Sequence, residues 1–219
     1  TNISSLTAQE AATNTNRSIS SSLEKLSTGL KINKASDDAS GLAIADKLRT
    51  QVTSINQGVS NGNSAIALLQ IADKSMAEQS KILDTVKAKL IQANTATTSA
   101  DGRESIRKDI TKLLEQLDNI AQQTNYNGNY LLQLDATSGA GATASLEFQV
   151  GEKTSDMITM SAVQANTTGL ALTTLAGLAT SGLTTTVAQT GQGSVDAAIT
   201  TLNGYRGDIG STQNQVESA

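Results

Sequence analysis

Residues 66–90 read IALLQIADKSMAEQSKILDTVKAKL, and their apolar side chains recur at helical spacing. Ile66, Leu69, Met76, Leu83 and Leu90 follow one another at intervals of three or seven residues. Side chains at such intervals line one stripe of an α-helix. The stretch therefore predicts an amphipathic helix whose apolar stripe packs into a core, with Met76 as a core-filling residue.

The same stripe extends toward the N-terminus without losing phase. Gly58 and the pair Asn61-Gly62 lie within the extension, and each glycine costs about 1 kcal/mol in a helix interior. Asn-Gly is also a turn signal, so a break remains the alternative. Because the phase is kept, one helix of some fifty residues, about 75 Å long, is favoured. The apolar positions of the extension are Ile44, Leu48, Val52, Ile55 and Val59.

A shorter amphipathic helix is predicted before this one. Ile19, Leu23, Leu26 and Leu30 are spaced four, three and four residues apart. The run STGLKINKASDDAS at 27–40 reads as a loop between the two helices because glycine and paired aspartates interrupt it. Leu30 and Ile32 would then be apolar residues on a connection, which we expect to pack down or to meet a partner.

A third helix is predicted after a polar turn at residues 95–102. Asp101 followed by Glu104 is interpreted as a variant of the capping box at its start. The helix should end before the turn signature at 125–128, and it should pair with the preceding helix as an antiparallel hairpin. Its expected apolar stripe comprises Ile106, Ile110, Leu113, Leu117 and Ile120.

The pattern changes after residue 129. Residues 146–150 alternate between apolar and polar, as do residues 157–163 in part, which predicts a β-hairpin with a loop at 151–156. Residues 135–145 and 164–192 are rich in Ala, Thr and Gly and are interpreted as surface loops or short strands.

A final helix is predicted after Gly191 and Gly193. Val195, Leu202, Ile209 and Val216 lie seven residues apart, which is typical of a coiled-coil seam. The simplest interpretation is a seam within one chain's bundle, and a seam between chains is second. The absence of a cap at residue 219 and of a methionine at residue 1 suggests a piece of a longer protein.

Composition favours a thin fold built on aliphatic side chains. The 219 residues include no proline, 2% aromatic and 37% hydrophobic residues, and proline would otherwise interrupt long helices. We predict a mainly α fold, an elongated antiparallel helical bundle forming a rod, with a small segment that contains the β-hairpin. Residues 1–134 would form the N-terminal part of the rod, 135–192 the small hairpin and loop segment, and 193–219 the C-terminal helix that completes the rod.

Absent residue types exclude several classes of chemistry. With no histidine and no cysteine, the chain has no means of Ser-His-Asp or thiolate catalysis or of imidazole and thiolate zinc binding. A net charge of −4 argues against nucleic-acid binding, and no apolar run approaches the ~20 residues of a membrane span. Asp37 and Asp38 lack the spaced oxygen ligands of a calcium loop. We therefore predict no enzymatic activity, no cofactor, no metal, no nucleic acid and no membrane as partner.

Four segments resemble the signatures of bacterial flagellin. They are LEKLSTGLKIN at 23–33, ASDDASGLAIADKLR at 35–49, NIAQQTNYNGN at 119–129 and LNGYRGDIGSTQN at 202–214. The resemblance covers roughly residues 4–134 and 193–219, and the middle resembles the family only in its short hairpin. The chain is thus similar to the rod of a flagellin without the extreme terminal helices, which form the inner tubes of the filament.

The resemblance implies a structural subunit that is exported, secreted to the exterior and polymerised into the flagellar filament. The implied partners are other copies of the subunit, an export chaperone and the cap protein, and the rod alone is expected not to build a filament. A hook–filament junction protein, which has similar end helices, is the alternative. Subunit contacts are assigned by resemblance to Leu26, Ser27, Gly29, Leu30, Ile32, Asp37, Asp38 and Gly41.

Flagellins also present a surface of this rod to an innate-immune Toll-like receptor. Where strongly recognised members carry LQRVRELAVQ, this chain has LDTVKAKLIQ at 83–92, as in epsilonproteobacterial relatives. A threonine cannot replace the planar donors of an arginine, and a lysine at an apolar position would leave a charge to desolvate. The resemblance implies poor recognition; the alternative is that these are simply solvated positions. The corresponding residues are Thr85, Lys87, Lys89, Asp109 and Leu113.

Overall fold

The computed structural model describes residues 2–219 and has the predicted mainly α fold, with long helices and a small antiparallel hairpin. It divides into two compact units, the first ending at Ser54 and the second comprising Ile55–Ala219. In chain order the elements are α1 (Ile3–Thr28), α2 (Ala39–Ala93), α3 (Ala100–Gln123), β1 (Asn125–Tyr126), β2 (Asn129–Tyr130), β3 (Leu146–Gln149), β4 (Met157–Met160), α4 (Thr173–Ala176) and α5 (Thr185–Ser218).

The first unit contains α1, a loop and the beginning of α2. Asn2 caps α1 by accepting a hydrogen bond from the Ser5 amide at 3.2 Å, and Gly29 ends the helix in the left-handed region at φ +69°. The loop therefore comprises residues 29–38, which is shorter at both ends than the predicted 27–40. The predicted amphipathic stripe of α1 is present, but none of its residues is buried in the chain.

α2 is one uninterrupted helix through Gly58, Asn61 and Gly62, so the favoured prediction is confirmed and the alternative break is wrong. The two glycines lie where other parts of the second unit come close to the helix. A Cβ at Gly58 would collide with the main chain at Val150, and one at Gly62 would meet the Val216 side chain at 3.5 Å. These glycines accommodate close packing rather than a turn.

α3 runs antiparallel to α2. Lys89 near the end of α2 contacts Asp109 early in α3, and Gln79 further back in α2 donates to the Leu117 carbonyl further along α3. The predicted helical hairpin is confirmed by this order of contacts. Residues of both helices enter one hydrophobic core.

The first turn and the buried face of α3 differ from the prediction. Ser99, not Asp101, is the cap, and its hydroxyl accepts from the Gly102 amide at 3.0 Å. Leu114 is fully buried whereas Leu113 is only partly buried. Ile106, Ile110 and Leu117 are buried as predicted, whereas Leu114 and Ala121 take the buried positions expected for Leu113 and Ile120. The buried residues of α3 are Ile106, Ile110, Leu114, Leu117 and Ala121.

α5 also runs antiparallel to α2. Lys87 of α2 pairs with Asp196 near the start of α5, and Asp73 of α2 pairs with Arg206 further along α5 at 2.8 Å. The seven-residue seam is buried in the core of the same chain, which confirms the simpler interpretation. Its members are Val195, Leu202, Ile209 and Val216.

α5 begins at Thr185, eight residues before the predicted start at residue 193. Thr184 caps it by accepting from the Val187 amide at 3.2 Å. Gly191 lies inside the helix, where a Cβ would stand only 3.3 Å from the Leu90 and Leu175 side chains. The prediction failed because it took these glycines as a helix boundary.

Two hairpins leave the helical bundle. β1 and β2 are joined by the two-residue turn Asn127-Gly128, where both residues have positive φ as a type I′ turn requires. The second hairpin is formed by β3 and β4, with Leu146 opposite Met160 and Gln149 opposite Met157. It is the one that the sequence predicts, so that prediction is confirmed.

Of the two segments predicted as surface loops or short strands, residues 135–145 form a largely exposed loop, as predicted. The prediction is wrong for residues 164–192, where Leu170, Leu172 and Leu175 are buried in the core and α5 has already begun at Thr185. The polar side chain of Asn166 is also fully buried and donates to Gln133 at 2.9 Å. The burial of these side chains could not be predicted from periodicity, because an irregular segment buries side chains without a fixed repeat.

Candidate functional site

The first candidate site is the turn segment, which we define as residues 26–41 of the first unit. Its two large apolar side chains at the start point away from the chain. Leu26 is 80% exposed and Leu30 is 59% exposed, while Ser27 is also exposed. Between them Gly29 reverses the chain in a conformation that favours glycine. The segment therefore displays apolar surface that nothing within the first unit covers.

Asp37 holds the second half of the turn segment together. Its carboxylate Oδ2 accepts hydrogen bonds from the backbone amides of Asn33 and Lys34, each at 3.1 Å. These amides, together with the positive charges of Lys25 and Lys34, keep the pKa of Asp37 below its ordinary value. The Asp37 carboxylate thus stabilises the conformation of the loop in its own chain.

An ion pair connects the loop to α1. The Lys34 ammonium donates to the Glu24 carboxylate at 2.8 Å, and this contact raises the pKa of Lys34. Lys25 adds a longer contact of 3.9 Å to Asp37. Glu24, Lys25 and Lys34 did not stand out in the sequence because an ion pair across a loop has no fixed spacing.

Asp38 begins α2. Its carboxylate accepts from the Gly41 amide at 2.8 Å, as an N-cap residue does. A Cβ at Gly41 would stand 2.6 Å from the same carboxylate and 2.9 Å from the Ile32 side chain. Ile32 is accordingly half-buried, so glycine at this position lets the loop fold back onto the helix.

The turn segment contains no candidate ion site. The carboxylates of Asp37 and Asp38 are occupied by backbone amides of their own chain. Within residues 2–219 no group of three or more acidic side chains could hold a metal ion. Within the same residues no helix is both long and apolar enough to cross a membrane.

The second candidate site is the helix-face set, which we define as Thr85, Lys87, Lys89, Asp109 and Leu113 of the second unit. Lys89 is paired within the chain, since its ammonium contacts the Asp109 carboxylate at 2.6 Å. Lys87 is paired as well, with Asp196 of α5. Asp196 could not be anticipated, since it is 109 residues away in sequence.

Thr85 and Leu113, the two remaining members of the helix-face set, differ in their exposure to solvent. Thr85 is exposed, and its hydroxyl donates back to the Lys81 carbonyl at 2.9 Å. Leu113 is partly buried and packs against the core. The set therefore brings together two lysines whose charges are both neutralised by contacts between helices.

Comparisons with known proteins agree on one family. The sequence model described as the bacterial flagellin N-terminal helical region matches residues 1–137. Flagellin B of Helicobacter pylori is 48% identical over 151 residues, which is 69% of this chain and 28% of the relative. Flagellin A of Helicobacter mustelae is 46% identical over 163 residues, covering 72% of this chain and 33% of that protein.

Two further proteins are similar over more of their own length. The flagellar filament 33 kDa core protein of Treponema phagedenis is 31% identical over 224 residues, covering 99% of this chain and 77% of that protein. The crystal structure of Bacillus cereus flagellin aligns with a TM-score of 0.61 at 28% identity, covering 73% of this chain and 85% of that one. The chain spans about a third or less of the length of the Helicobacter relatives.

Proposed function

Because the chain belongs to the bacterial flagellin family, in a lineage similar to the epsilonproteobacterial one, we propose that it is a structural subunit of the flagellar filament. Copies of it would assemble into the helical propeller outside the cell. The Helicobacter flagellins are much longer than this chain. That this chain assembles as a flagellin does is therefore part of the proposal. Other subunits, an export chaperone and the cap protein are its proposed partners.

The observation that carries this proposal is the apolar surface left uncovered on the first two helices. On α1 and in the turn segment, Leu23, Leu26 and Leu30 are at least 59% exposed. Large apolar surface of this extent on a secreted chain is costly unless a partner covers it. The apolar stripe of α2 is exposed in the same way, at Ile44, Leu48, Val52, Ile55 and Val59.

We propose that a second copy of the chain covers these exposed apolar stripes, because members of this family assemble into polymers. Aliphatic stripes at helical spacing pack against stripes of the same kind, as in bundles and coiled coils. The turn segment has a fold fixed by Asp37, Asp38 and Gly41, so it can meet a neighbour without first being ordered. Residues Leu26 and Leu30 would make the contact, and the two aspartates would hold the loop that presents them.

Assembly of the natural full-length protein in flagellin-null cells tests the proposal. Leu26→Asn together with Leu30→Asn should shorten or abolish filaments, because both side chains would lose a buried apolar contact. Ser22→Asn, on the same exposed helix, is the matched control and should leave filament length unchanged. Circular dichroism should find both variants equally folded, since none of these side chains is buried in the monomer. Normal filaments from the double variant would overturn the proposed contact.

The hook–filament junction protein remains the second candidate, because it shares the end helices on which the resemblance rests. The two functions differ in the length of the polymer. A filament subunit should support many-subunit filaments as the sole flagellin, whereas a junction protein should form only a short zone. Electron microscopy of cells that express this protein alone separates them.

We also propose that the subunit is a poor ligand of the innate-immune flagellin receptor. Support comes from Thr85 in place of an arginine and from the pairing of Lys89 with Asp109. A receptor that binds this surface would have to separate that ion pair before it could use the carboxylate. An ordinary strong response of reporter cells to the purified full-length protein would refute this part.

A further inference from the structure

The chain contains three Asn-Gly pairs, and the fold places them in different settings. Asn61-Gly62 lies within α2, Asn203-Gly204 within α5, and Asn127-Gly128 forms the turn between β1 and β2. In such a pair the glycine amide nitrogen can attack the asparagine side-chain carbonyl, because no Cβ obstructs the approach. The three pairs share this chemistry and differ only in what the fold permits.

The two helical pairs are held away from this reaction. In an α-helix the amide of the glycine donates to the carbonyl four residues earlier, and its dihedral angles are fixed. Attack therefore requires a local opening of the helix. The Asn61 side chain is held further, since it accepts from Gln57 at 2.9 Å and donates to the Gln149 carbonyl at 3.0 Å.

The turn pair lacks these restraints. Asn127 and Gly128 are exposed and have φ values of +50° and +84°. Among residues 2–219 neither the Asn127 side chain nor the Gly128 amide has a hydrogen-bond partner. The turn joins two strands of only two residues each, so its opening disturbs little of the fold.

We propose that Asn127 is a site of spontaneous deamidation, the first to react in the folded protein. The Gly128 nitrogen forms a bond to the Asn127 Cγ while the bond from Cγ to Nδ2 breaks, and ammonia leaves. The product is a five-membered imide. Water then adds to one of its two carbonyls, which yields aspartate or isoaspartate without any oxidant or reductant.

The modification changes the turn in two ways. Isoaspartate inserts one methylene into the main chain, which a two-residue turn between the paired Tyr126 and Asn129 cannot accommodate. Either product also adds a negative charge to a cleft that Asn127 shares with Glu147. We therefore expect the β1–β2 hairpin to gain negative charge and to lose its regular turn as the protein ages.

Incubation of the folded protein at mildly alkaline pH tests the proposal. Trypsin places the three pairs on different peptides, 50–74, 113–153 and 154–206, so mass spectrometry can follow each of them. We expect Asn127 to react at least about tenfold faster than Asn203, since a helix opening free energy of ~1.4 kcal/mol already slows the reaction tenfold. Asn203 is the matched control because it is equally exposed but helical.

Two additional samples complete the experiment. In urea all three pairs should react at similar rates, which shows that the fold sets the order. Asn127→Gly keeps a residue suited to positive φ and should abolish most labelling of the folded protein by isoaspartyl methyltransferase. Reaction at Asn61 or Asn203 as fast as at Asn127 would overturn the proposal, as would an inert Asn127 in a folded sample whose urea counterpart reacts.

Discussion

The main chain at Val150 lies where the Cβ of any residue other than glycine at position 58 would stand. The carbonyl carbon of Val150 would be only 2.9 Å from that atom, and the carbonyl oxygen would be closer still. The main chain that follows β3 thus approaches α2 at Gly58, where the helix has no side chain in the way. This contact explains why a residue that costs about 1 kcal/mol in a helix interior is present.

We expect Gly58→Ala to destabilise the second unit by as much as about 2 kcal/mol. Overpacking against main chain costs about 1–3 kcal/mol, and the gain in helix propensity offsets about 1 kcal/mol of this. Gly207→Ala in α5 is the matched control, because nothing lies within 4 Å of its Cβ position, and it should stabilise the protein. Chemical unfolding measures both. If Gly58→Ala were as stabilising as Gly207→Ala, the described approach of the hairpin would be wrong.

Ala171 offers a stabilising substitution. It is exposed and has φ +55°, a conformation that costs an alanine about 1–2 kcal/mol. Ala171→Gly relieves this strain and loses about 0.4–1 kcal/mol through the greater entropy of the unfolded chain. Thermal unfolding should therefore show a net stabilisation of up to about 1.6 kcal/mol. Ala88→Gly, at an exposed position near the end of α2, should instead cost about 1 kcal/mol. Equal effects of the two substitutions would contradict the assigned conformation.

Glu104 should make stability depend on pH in the acid range. Hydrogen bonds from Arg107, and then from the Ser181 amide, lower the pKa of Glu104 to about 2. Because the folded pKa lies below the unfolded value, the stabilisation is complete above the unfolded pKa of 4.5 and is lost as the pH falls through about 2.

Glu104→Gln removes this contribution. We expect the variant to unfold at a lower temperature than the unsubstituted protein at neutral pH, and the difference should disappear as the pH approaches about 2. Glu115→Gln is the control, since Glu115 forms an exposed pair with Lys112 that contributes little. A difference that persists unchanged at the lowest pH would show that the carboxylate charge is not the cause.

Asp37 should act by positioning the turn segment rather than by contacting a neighbouring subunit through its charge. Asp37→Asn keeps an oxygen that can accept from the amides of Asn33 and Lys34, whereas Asp37→Ala keeps none. We expect the asparagine variant to retain much of filament assembly and the alanine variant to lose it. Equal loss in both variants, with assembly intact in the unsubstituted protein, would favour a direct charge contact instead.

The same carboxylate provides a spectroscopic test in the monomer. The amide chemical shifts of Asn33 and Lys34 should follow the ionisation of Asp37, with an apparent pKa below the ordinary aspartate value. The loop order that depends on this charge should be present at neutral pH and be lost as the pH falls through that lowered pKa. Neither shift should titrate in this range in Asp37→Asn.

The helix-face set predicts a gain of receptor response. Thr85→Arg combined with Lys89→Leu should raise the response of reporter cells to the full-length protein, because the change adds planar donors and frees Asp109 from its pair. Lys81→Leu, which removes an exposed lysine of the same helix, should have no such effect. No gain in the double variant would favour the interpretation of these residues as ordinary solvated positions.

Much of the helical fold could be predicted from the sequence because its long helices carry sustained periodicity. Leu69, Met76, Leu83 and Leu90 are buried as their spacing predicts, since a helix that packs on one side needs only a regular stripe. Ile44 has the same spacing and is exposed. Periodicity thus identified the apolar face without indicating whether this chain or another one covers it.

The candidate sites could be predicted only in part. The turn segment remains a site assigned by resemblance, and the roles of Asp37 and Asp38 as acceptors for backbone amides depend on how residues 29–38 fold back. Likewise the pairing of Lys89 with Asp109 requires α3 to lie antiparallel to α2 in one particular register. Such contacts follow from geometry over long separations, which no local pattern records.

The order of the helices, the hairpin at 146–160 and the lack of histidine and cysteine chemistry were determined by the sequence itself, because helical repeat, strand alternation and residue type are local properties. The tertiary structure alone decided which glycines sit inside helices, which irregular segments are buried and which charges are neutralised. Those outcomes depend on the close approach of residues distant in sequence, as at Gly58 and Val150, and such approaches exist only once the chain has packed.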